Sequence, residues 1–265
     1  MDSTRRSFLK ILGVTAAGLT VRPSADAWAL GAKPRGAAPL DNALVGKRWA
    51  MVIDLQKLTD KVRKDAVEAC NRAHNIPHYE NHDDEIKWIW EEGYHNAFPG
   101  QHNHHLPVEL TRDPLLVLCN HCENPPCVRV CPTKATFQRE DGIVMMDYHR
   151  CIGCRFCMAG CPYGSRSFNF WDPRKQPPLV NEKGEFDPPS PDYPTRMRGV
   201  VEKCNFCAER LAKGKLPACV EASNGALLFG DLADHESEVA KALRSRYSIR
   251  RKPDLGTEPQ VYYLI

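Results

Sequence analysis

The chain has 265 residues, 42% of them apolar and 26% charged, and its formal net charge is +3. This balance excludes a disordered polyampholyte and leaves no basic footprint for binding nucleic acid. No apolar run reaches the length needed to cross a bilayer. The unusual feature is the cysteine content, because 11 of the 12 cysteines lie between Cys119 and Cys219.

The first 29 residues predict a twin-arginine export signal, which would place the protein in the periplasm. Residues 4–10 read Thr-Arg-Arg-Ser-Phe-Leu-Lys, a modestly apolar stretch follows to Val21, and an Ala-x-Ala cleavage signature begins at Ala25. The twin-arginine route carries folded proteins, often with their cofactors inserted. It would therefore protect the cysteines from forming disulfides in an oxidising compartment. Residues 30–46, rich in Ala, Pro and Gly, predict a linker.

Beyond the linker, apolar periodicity and turn residues predict a mixture of helices and strands. Thr59 is a candidate N-cap for the first helix, and Asp141-Gly142 is a typical hairpin turn. The predicted elements, in chain order, are a strand at 48–54, a helix from Thr59 to about Arg72, a hairpin between Thr136 and Met146, a strand at 226–229, a helix around Val239 and Leu243, and a strand at 261–264.

Two segments, 75–113 and 173–198, are predicted as loop-rich insertions. The first is rich in histidine, and the second has seven prolines, which predict a surface excursion. The histidines could ligate a metal or a haem, although the chain has no Cys-x-x-Cys-His motif for covalent haem. Loop histidines are more often solvated or line a partner surface, so we expect both insertions to be docking surfaces. The six histidines are His78, His82, His95, His102, His104 and His105.

Two runs of closely spaced cysteines carry the chemistry. The first, Cys-x2-Cys-x4-Cys-x3-Cys-Pro, begins at Cys119, and the second, Cys-x2-Cys-x2-Cys-x3-Cys-Pro, begins at Cys151. Three such thiolates fold as one loop around three irons of a cube, whereas the cysteine before proline turns away to ligate the other cluster of a pair. The spacing therefore predicts two [4Fe-4S] clusters with crossed ligands. The ligands are Cys119, Cys122, Cys127 and Cys161 for cluster one, and Cys151, Cys154, Cys157 and Cys131 for cluster two.

Three other cysteine chemistries fit this spacing less well. Zinc also takes four thiolates, but zinc sites normally use separated Cys-x2-Cys pairs rather than triplets closed by Cys-Pro. A disulfide scaffold suits small secreted domains, and adjacent Cys-x2-Cys pairs are poor disulfide partners. A dithiol redox enzyme needs one exposed motif rather than eleven clustered cysteines. A structural multi-zinc protein is therefore the alternative outside the iron-sulfur class.

A third cysteine group is incomplete in an informative way. Cys204-x2-Cys207-x11-Cys219 is followed by Ser223 at the spacing where a fourth cysteine is expected. Together with Val-Val-Glu-Lys-Cys at 200–204 and Leu-Pro-Ala-Cys-Val-Glu-Ala at 216–222, the three groups resemble a known family. That family comprises the iron-sulfur electron-transfer subunits of membrane-bound oxidoreductases, including dimethyl sulfoxide, polysulfide and tetrathionate reductases. The resemblance covers roughly residues 47–72 and 115–232.

The resemblance implies an α+β fold of tandem ferredoxin-like modules with four cysteine motifs and four clusters. Here the first motif retains only Cys70, and its partner position is Ser223, so one cluster is predicted to be lost. Read alone, Cys70 would be an ordinary buried thiol on a helix face. The resemblance instead assigns it to cluster three, with Cys204, Cys207 and Cys219, so that three clusters use all 12 cysteines. The implied modules are 47–74 with 199–265, which keeps one cluster, and 114–172, which is intact with two.

The resemblance implies an electron conduit rather than an enzyme, and the sequence shows no nucleophile–base pair and no phosphate-binding loop. The implied partners are an integral membrane subunit that interacts with quinone and a further redox subunit, either a multihaem cytochrome c or another iron-sulfur protein. Membrane association would be through these partners. The three-cluster pattern, the export signal and the stretch Lys-Trp-Ile-Trp at 87–90 most resemble an exported subunit of a membrane complex associated with sulfite reduction. The iron-sulfur subunit of an exported molybdopterin reductase is the alternative within the class.

Overall fold

The described part of the protein, in this computed structural model, comprises residues 42–101, 105–191, 193–194 and 196–265. These residues all belong to the unit Leu40–Ile265. The predicted export signal, residues 30–41 of the predicted linker, and the insertion histidines His102 and His104 lie outside the described residues.

Helices and strands are mixed along the described chain, so the fold is of mixed α and β class. The strands are β1 (Trp49–Asp54), β2 (Ile89–Glu92), β3 (Leu115–Leu118), β4 (Thr136–Gln138), β5 (Val144–Met146), β6 (Ser167–Phe168), β7 (Val201–Glu202), β8 (Leu227–Asp231), β9 (Ser248–Ile249) and β10 (Val261–Leu264). The α-helices are α1 (Asp60–Ala73), α2 (Tyr94–Ala97), α3 (Val108–Arg112), α4 (Pro126–Arg129), α5 (Phe156–Ala159), α6 (Ala208–Leu211), α7 (Ala218–Glu221) and α8 (Glu238–Ser245). Short 3₁₀ turns lie at His82–Asp84, Pro99–Gln101, Pro173–Lys175 and Pro253–Leu255.

A four-stranded sheet joins the early and late parts of the described chain. Its order is β8-β1-β10-β9, and β1 runs antiparallel to β8 but parallel to β10. Met51 therefore lies opposite both Phe229 and Val261. All six residues of β1 are buried, which explains why its sequence is a nearly continuous apolar run rather than an alternating one. The three strands predicted for these segments are confirmed.

The longest helix, α1, begins where the sequence predicts. The side chain of Thr59 caps it by accepting a hydrogen bond from the backbone N–H of Val62 at 3.4 Å. The buried face of α1 includes Val62, Ala66 and Cys70, and the helix packs against α7 in the main core. The cap and the apolar face together explain why a helix with many charged residues is stable at this position.

The predicted hairpin is also confirmed, because β4 and β5 pair with Thr136 opposite Met146. Its turn contains Gly142 at φ +84°, a left-handed backbone conformation that favours glycine. A Cβ at this position would also collide with the guanidinium of Arg48. The hairpin adjoins β1, since the backbone N–H of Trp49 donates to the Asp141 carbonyl at 3.1 Å.

Both insertions contribute residues to the buried interior. Trp88 is 1% exposed and donates from Nε1 to the Glu202 carboxylate at 2.8 Å. Arg196, also 1% exposed, forms an ion pair with the same carboxylate at 2.8 Å. The expectation that 173–198 is only a surface excursion is therefore wrong for Arg196, and for the buried Tyr193. The prolines correctly indicate an irregular segment. They give no sign that Arg196, within it, neutralises the buried carboxylate of Glu202.

The four described insertion histidines, His78, His82, His95 and His105, are exposed. His82 illustrates their setting, because its Nδ1 lies 2.8 Å from the Glu85 carboxylate at the surface. Among the helices of the described ranges, none has both the length and the apolar character that crossing a bilayer requires.

Candidate metal centres

All 12 cysteines are free and lie in the described part of the chain. We name them by the clusters that the sequence predicts for them. Group one is Cys119, Cys122, Cys127 and Cys161. Group two is Cys131, Cys151, Cys154 and Cys157. Group three is Cys70, Cys204, Cys207 and Cys219.

The four cysteines of group one line one cavity, whose lining also includes Asn120, Tyr163 and Arg166. Burial raises the pKa of Cys122 to about 12, and the neighbouring sulfurs of the other three members act in the same direction. Three members come from the segment that leads into and begins α4, and the fourth follows α5. The packing of α4 against α5 therefore brings the Cys-Pro cysteine of the second run to the triplet of the first.

Group two lies toward the surface, since Cys154 is exposed and only Cys157 is buried. Burial raises the pKa of Cys157, the charge of Arg166 opposes the rise, and the sulfurs of Cys151 and Cys131 add to it. Burial would also raise the pKa of Cys131, but hydrogen bonds from the backbone of Thr133, Ala135 and Thr136 and from the Thr133 hydroxyl outweigh it and lower that pKa. Such donors stabilise a thiolate, which is the form that ligates iron.

The Cys151–Cys157 loop is held closely against a later segment. Gly153 has φ +72°, and a Cβ there would lie 2.5 Å from the carbonyl oxygen of Gly199. Only glycine fits both the backbone conformation and this close approach. The loop between the group-two cysteines is therefore fixed by backbone packing although its outer side is open to solvent.

All four members of group three are buried. Burial raises the pKa of Cys70, and the sulfurs of Cys219, Cys207 and Cys204 raise it further, so the early and late cysteines lie together. The backbone N–H groups of Phe206 and Ala218 donate to the sulfurs of Cys204 and Cys207, each at 3.4 Å. Hydrogen bonds of this kind are among the features that set the potential of iron-sulfur clusters.

The three groups adjoin one another in a fixed order. The sulfur of Cys119, in group one, is a neighbour that raises the pKa of Cys204, in group three, after the larger effect of burial. The sulfur of Cys127, in group one, likewise acts on Cys157, in group two. Group one is therefore flanked by the other two groups.

The surroundings of one buried arginine, Arg166, indicate that these cysteines suit an anionic cofactor. Arg166 is 5% exposed, its hydrogen bonds go to Thr136 Oγ1 at 3.2 Å and to the Met146 sulfur at 3.8 Å, and its Nη2 has no partner in the described residues. Burial would lower the pKa of Arg166, but the sulfurs of Cys127, Cys157 and Cys119 outweigh it and raise that pKa. A buried cation without a carboxylate costs several kcal/mol. An iron-sulfur cluster with four thiolates supplies the negative charge, so the residues fit this group.

Two further buried polar residues, one beside group one and one beside group three, also fit a negatively charged cluster. Asn120 lines the group-one cavity, and neither its amide nitrogen nor its oxygen has a partner in the described residues. Lys203 is 1% exposed and donates from Nζ to the carbonyl oxygens of Cys204, at 2.7 Å, and Val144. The charge of Lys203 also opposes the rise in the pKa of Cys204 that burial causes.

His74 lies next to group three, one helical turn beyond Cys70. Its Nδ1 is 2.9 Å from the Cys70 carbonyl oxygen and 3.5 Å from the Cys70 sulfur, and its Nε2 is 2.9 Å from a Glu209 carboxylate oxygen. Burial would raise the pKa of Glu209, but the hydrogen bond and charge of His74 outweigh it and lower that pKa. Potential ligand atoms of His74, Cys207 and Glu209 all lie within 4.8 Å of one another.

Ser223, at the position of the expected cysteine, is fully buried and bonded to the backbone. Its hydroxyl donates to the Val220 carbonyl at 2.7 Å and accepts from the Leu227 N–H at 3.0 Å. These bonds tie the end of α7 to the start of β8. Beside α7 packs α1, which occupies the chain segment where three further cysteines would be expected.

Sequence reasoning missed Arg166, His74 and Glu209. The sequence spacing could have indicated the first two. Arg166 closely follows the second Cys-Pro, and His74 lies four residues after Cys70, on the same helix face. Nothing in the sequence pairs Glu209 with His74, since that contact depends on how α6 packs against the end of α1.

These sites define an iron-sulfur protein that binds [4Fe-4S] clusters. Residues 114–174, which hold groups one and two, match the family described as a 4Fe-4S dicluster domain.

Three known relatives extend the match along nearly the whole chain. The Hdr-like menaquinol oxidoreductase iron-sulfur subunit 1 of Archaeoglobus fulgidus is 38% identical over 98% of this chain and 97% of its own length. A tetrathionate reductase subunit of Salmonella typhimurium is 34% identical over 100% of this chain and 89% of its own. The menaquinone reductase iron-sulfur cluster-binding subunit of Nitratidesulfovibrio vulgaris is 37% identical over 82% of this chain and 88% of its own length. The chain therefore belongs to the family of iron-sulfur electron-transfer subunits of membrane-bound oxidoreductases, and the multi-zinc alternative is wrong.

Proposed function

We propose that the protein holds three [4Fe-4S] clusters, one in each cysteine group, and relays single electrons between two partner subunits of a respiratory complex. The observation that carries the proposal is that the cysteines of group one line one cavity, Cys70 lies with the other three sulfurs of group three, and Cys157 lies with Cys131 and Cys151. The clusters supply one-electron chemistry, and the chain supplies thiolates, hydrogen bonds and the counter-charge of Arg166. No substrate site forms part of this proposal, so catalysis would belong to another subunit.

The proposed architecture is two ferredoxin-like modules in tandem. One comprises residues 114–172 with groups one and two, and the other comprises 47–74 and 199–265 with group three. The pairing of β1 with β8 and β10 supports the second module, because it joins the two separated segments in one sheet. The hydrogen-bonded Ser223 and the packing of α1 support the loss of a fourth cluster, because both occupy its expected surroundings.

Iron counting with spin quantification tests the number of clusters. The wild-type protein should hold about twelve irons, from three four-iron cubes. Cys70→Ala should damage only the cluster of group three, and Ser223→Cys should leave the count unchanged because no further free cysteines accompany it. A wild-type count near sixteen, or a Cys70→Ala protein with its full complement, would overturn the scheme.

The partners that we propose are an integral membrane subunit that interacts with quinone and a second redox subunit, either a multihaem cytochrome c or an iron-sulfur protein. The names of two relatives include menaquinol or menaquinone, which supports the proposed partner that interacts with quinone. A link to sulfite reduction is part of the proposal. The alternative is a molybdopterin reductase partner, which the similarity to the tetrathionate reductase subunit favours. Identifying the subunits that co-purify with the tagged protein distinguishes the two.

The proposed location is the periplasm, reached by the twin-arginine route with the clusters already inserted. The support is the Arg5-Arg6 signature together with thiolate ligands that oxidation would destroy. Replacing both arginines by lysine should leave a cluster-loaded precursor in the cytoplasm. Efficient export of that variant, or export of a cluster-free protein, would contradict the proposal.

A further inference from the structure

The side chain of His74 is 1% exposed and lies between a proposed ligand and a carboxylate. The Cys70 carbonyl oxygen can only accept a hydrogen bond, so the Nδ1 that lies 2.9 Å from it carries the hydrogen. The same hydrogen is directed to the Cys70 sulfur, 3.5 Å from Nδ1. The Glu209 carboxylate likewise accepts from Nε2 at 2.9 Å, which fixes the ring from its other side.

Residues from both insertions fix the imidazole in this position. The Trp88 ring lies against it with centroids 4.3 Å apart, and the Tyr193 ring meets it edge-on at 5.0 Å. Arg196 holds the backbone at the same point, because Nη1 donates to the His74 carbonyl at 2.5 Å. A histidine with two hydrogen bonds and two ring contacts has little freedom to turn away from Cys70.

We propose that His74 is a positioning residue for cluster three, whose Nδ1–H hydrogen bond to Cys70 raises the reduction potential of that cluster. The inference rests on the proposed function, in which Cys70 is a ligand. A hydrogen bond to a ligand sulfur withdraws electron density from the iron, and this stabilises the reduced, more negative state of the cluster. The two insertions thereby influence the reduction potential of cluster three, because they fix the orientation of the His74 ring.

Two substitutions separate the two ends of the imidazole. In His74→Asn the amide nitrogen lies near the position of Nδ1, so the donor to Cys70 is kept while the bond to Glu209 is lost. In His74→Gln the amide nitrogen lies near Nε2, so the bond to Glu209 is kept while the donor to Cys70 is lost. His82→Gln, at the exposed surface, is the matched control.

The measurement is a redox titration of the purified full chain, followed by electron paramagnetic resonance. Cluster three is identified as the signal that Cys70→Ala removes. At a fixed potential, His74→Gln should lower the ratio of reduced to oxidised cluster three by roughly tenfold, as expected for one lost hydrogen bond to a charged group. Both substitutions remove the charge of a ring that donates from both nitrogens, so the difference between them reports the donor to Cys70. His74→Asn should lower the ratio clearly less than His74→Gln does, and His82→Gln should leave it unchanged.

Wild-type behaviour of cluster three in His74→Gln, with all irons present, would overturn the role of His74 and leave the ligand assignment intact. Equal shifts in the Asn and Gln variants would also overturn it, because a merely structural role does not distinguish the two ring nitrogens. Retention of every signal in Cys70→Ala would instead overturn the ligand assignment on which the inference rests.

Discussion

Groups two and three contain the same four-cysteine chemistry in opposite surroundings. Group two lies beside an open surface where Ile152 is 68% exposed and Phe156 58% exposed, with Cys154 itself exposed. Group three is buried, and the ion pair of Arg196 and Glu202 lies in the interior on its side of the molecule. Group one, between them, adjoins both.

The difference shows how one relay can have one accessible end and one protected end. Exposure lets a partner approach the sulfurs of group two closely, whereas burial keeps solvent away from group three and makes its hydrogen bonds stronger. The insertions account for much of this contrast, since Trp88 and Tyr193 contact His74 beside Cys70. Four variants or treatments sharpen the comparison.

The largest expected effect comes from removing the buried ion pair on the group-three side. Arg196→Met should lower the free energy of unfolding by about 3–5 kcal/mol, because Glu202 would remain as an uncompensated buried charge. The matched control is Arg174→Met, whose ion pair with Asp172 is exposed and should be worth less than about 1 kcal/mol. The urea midpoint of the cluster-loaded protein is the measurement, and equal shifts in both variants would contradict the asymmetry.

Chelation should then distinguish the two ends by rate. A ferrous chelator added to the oxidised protein in air should release about four of about twelve irons first, those of group two, because Cys154 is exposed and Cys131 and Cys151 are only half-buried. The Cys70→Ala variant identifies the group-three signal by its absence. Release of the group-three iron first would show that burial does not protect that end.

Removing a cation between groups one and two should have a smaller effect. Arg166→Met should shift the reduction potentials of clusters one and two to more negative values by roughly 60 mV, the equivalent of about 1.4 kcal/mol, because a buried positive charge stabilises the reduced clusters. Arg244→Met is the control, since this exposed side chain donates to the His235 carbonyl at the surface, away from both groups. Equal potentials in the wild type and Arg166→Met would exclude the counter-charge role.

The smallest effect on stability is expected at the open surface itself. The double change Ile152→Ser and Phe156→Ser should alter the free energy of unfolding by no more than about 0.5 kcal/mol for each residue, because both side chains are largely in water. It should still slow electron exchange with the co-purified partner if this surface is the contact. Tyr247→Ser, 77% exposed and outside both insertions, is the control, and equal rates in all three proteins would place the contact elsewhere.

Much of the fold could be predicted from local signals. Thr59 and the apolar face behind it indicated α1, and Asp141-Gly142 indicated the hairpin, because caps and turns depend on residues that are close in sequence. The ligand sets of groups one and two came from spacing alone. The structure brings the four cysteines of group one together around one cavity, and the assignment of ligands to individual clusters stays a prediction.

The surroundings of the clusters could not be predicted in the same way. His74 and Glu209 are far apart in sequence, and the role of each depends on a contact made only after α1 and α6 have packed. The buried state of Arg196 is similar, because a proline-rich segment gives no periodic signal that one of its residues neutralises Glu202. Long-range polar contacts leave no local pattern, so they are visible only in three dimensions.

The separation of the cysteines along the chain also sets an order in time. Groups one and two come entirely from residues 119–161, so a ribosome will have finished both sets well before it reaches Cys204. Group three joins Cys70 to Cys219, the first and the last cysteines of the chain. The ligand set proposed for the third cluster is therefore the last of the three to be complete on the ribosome.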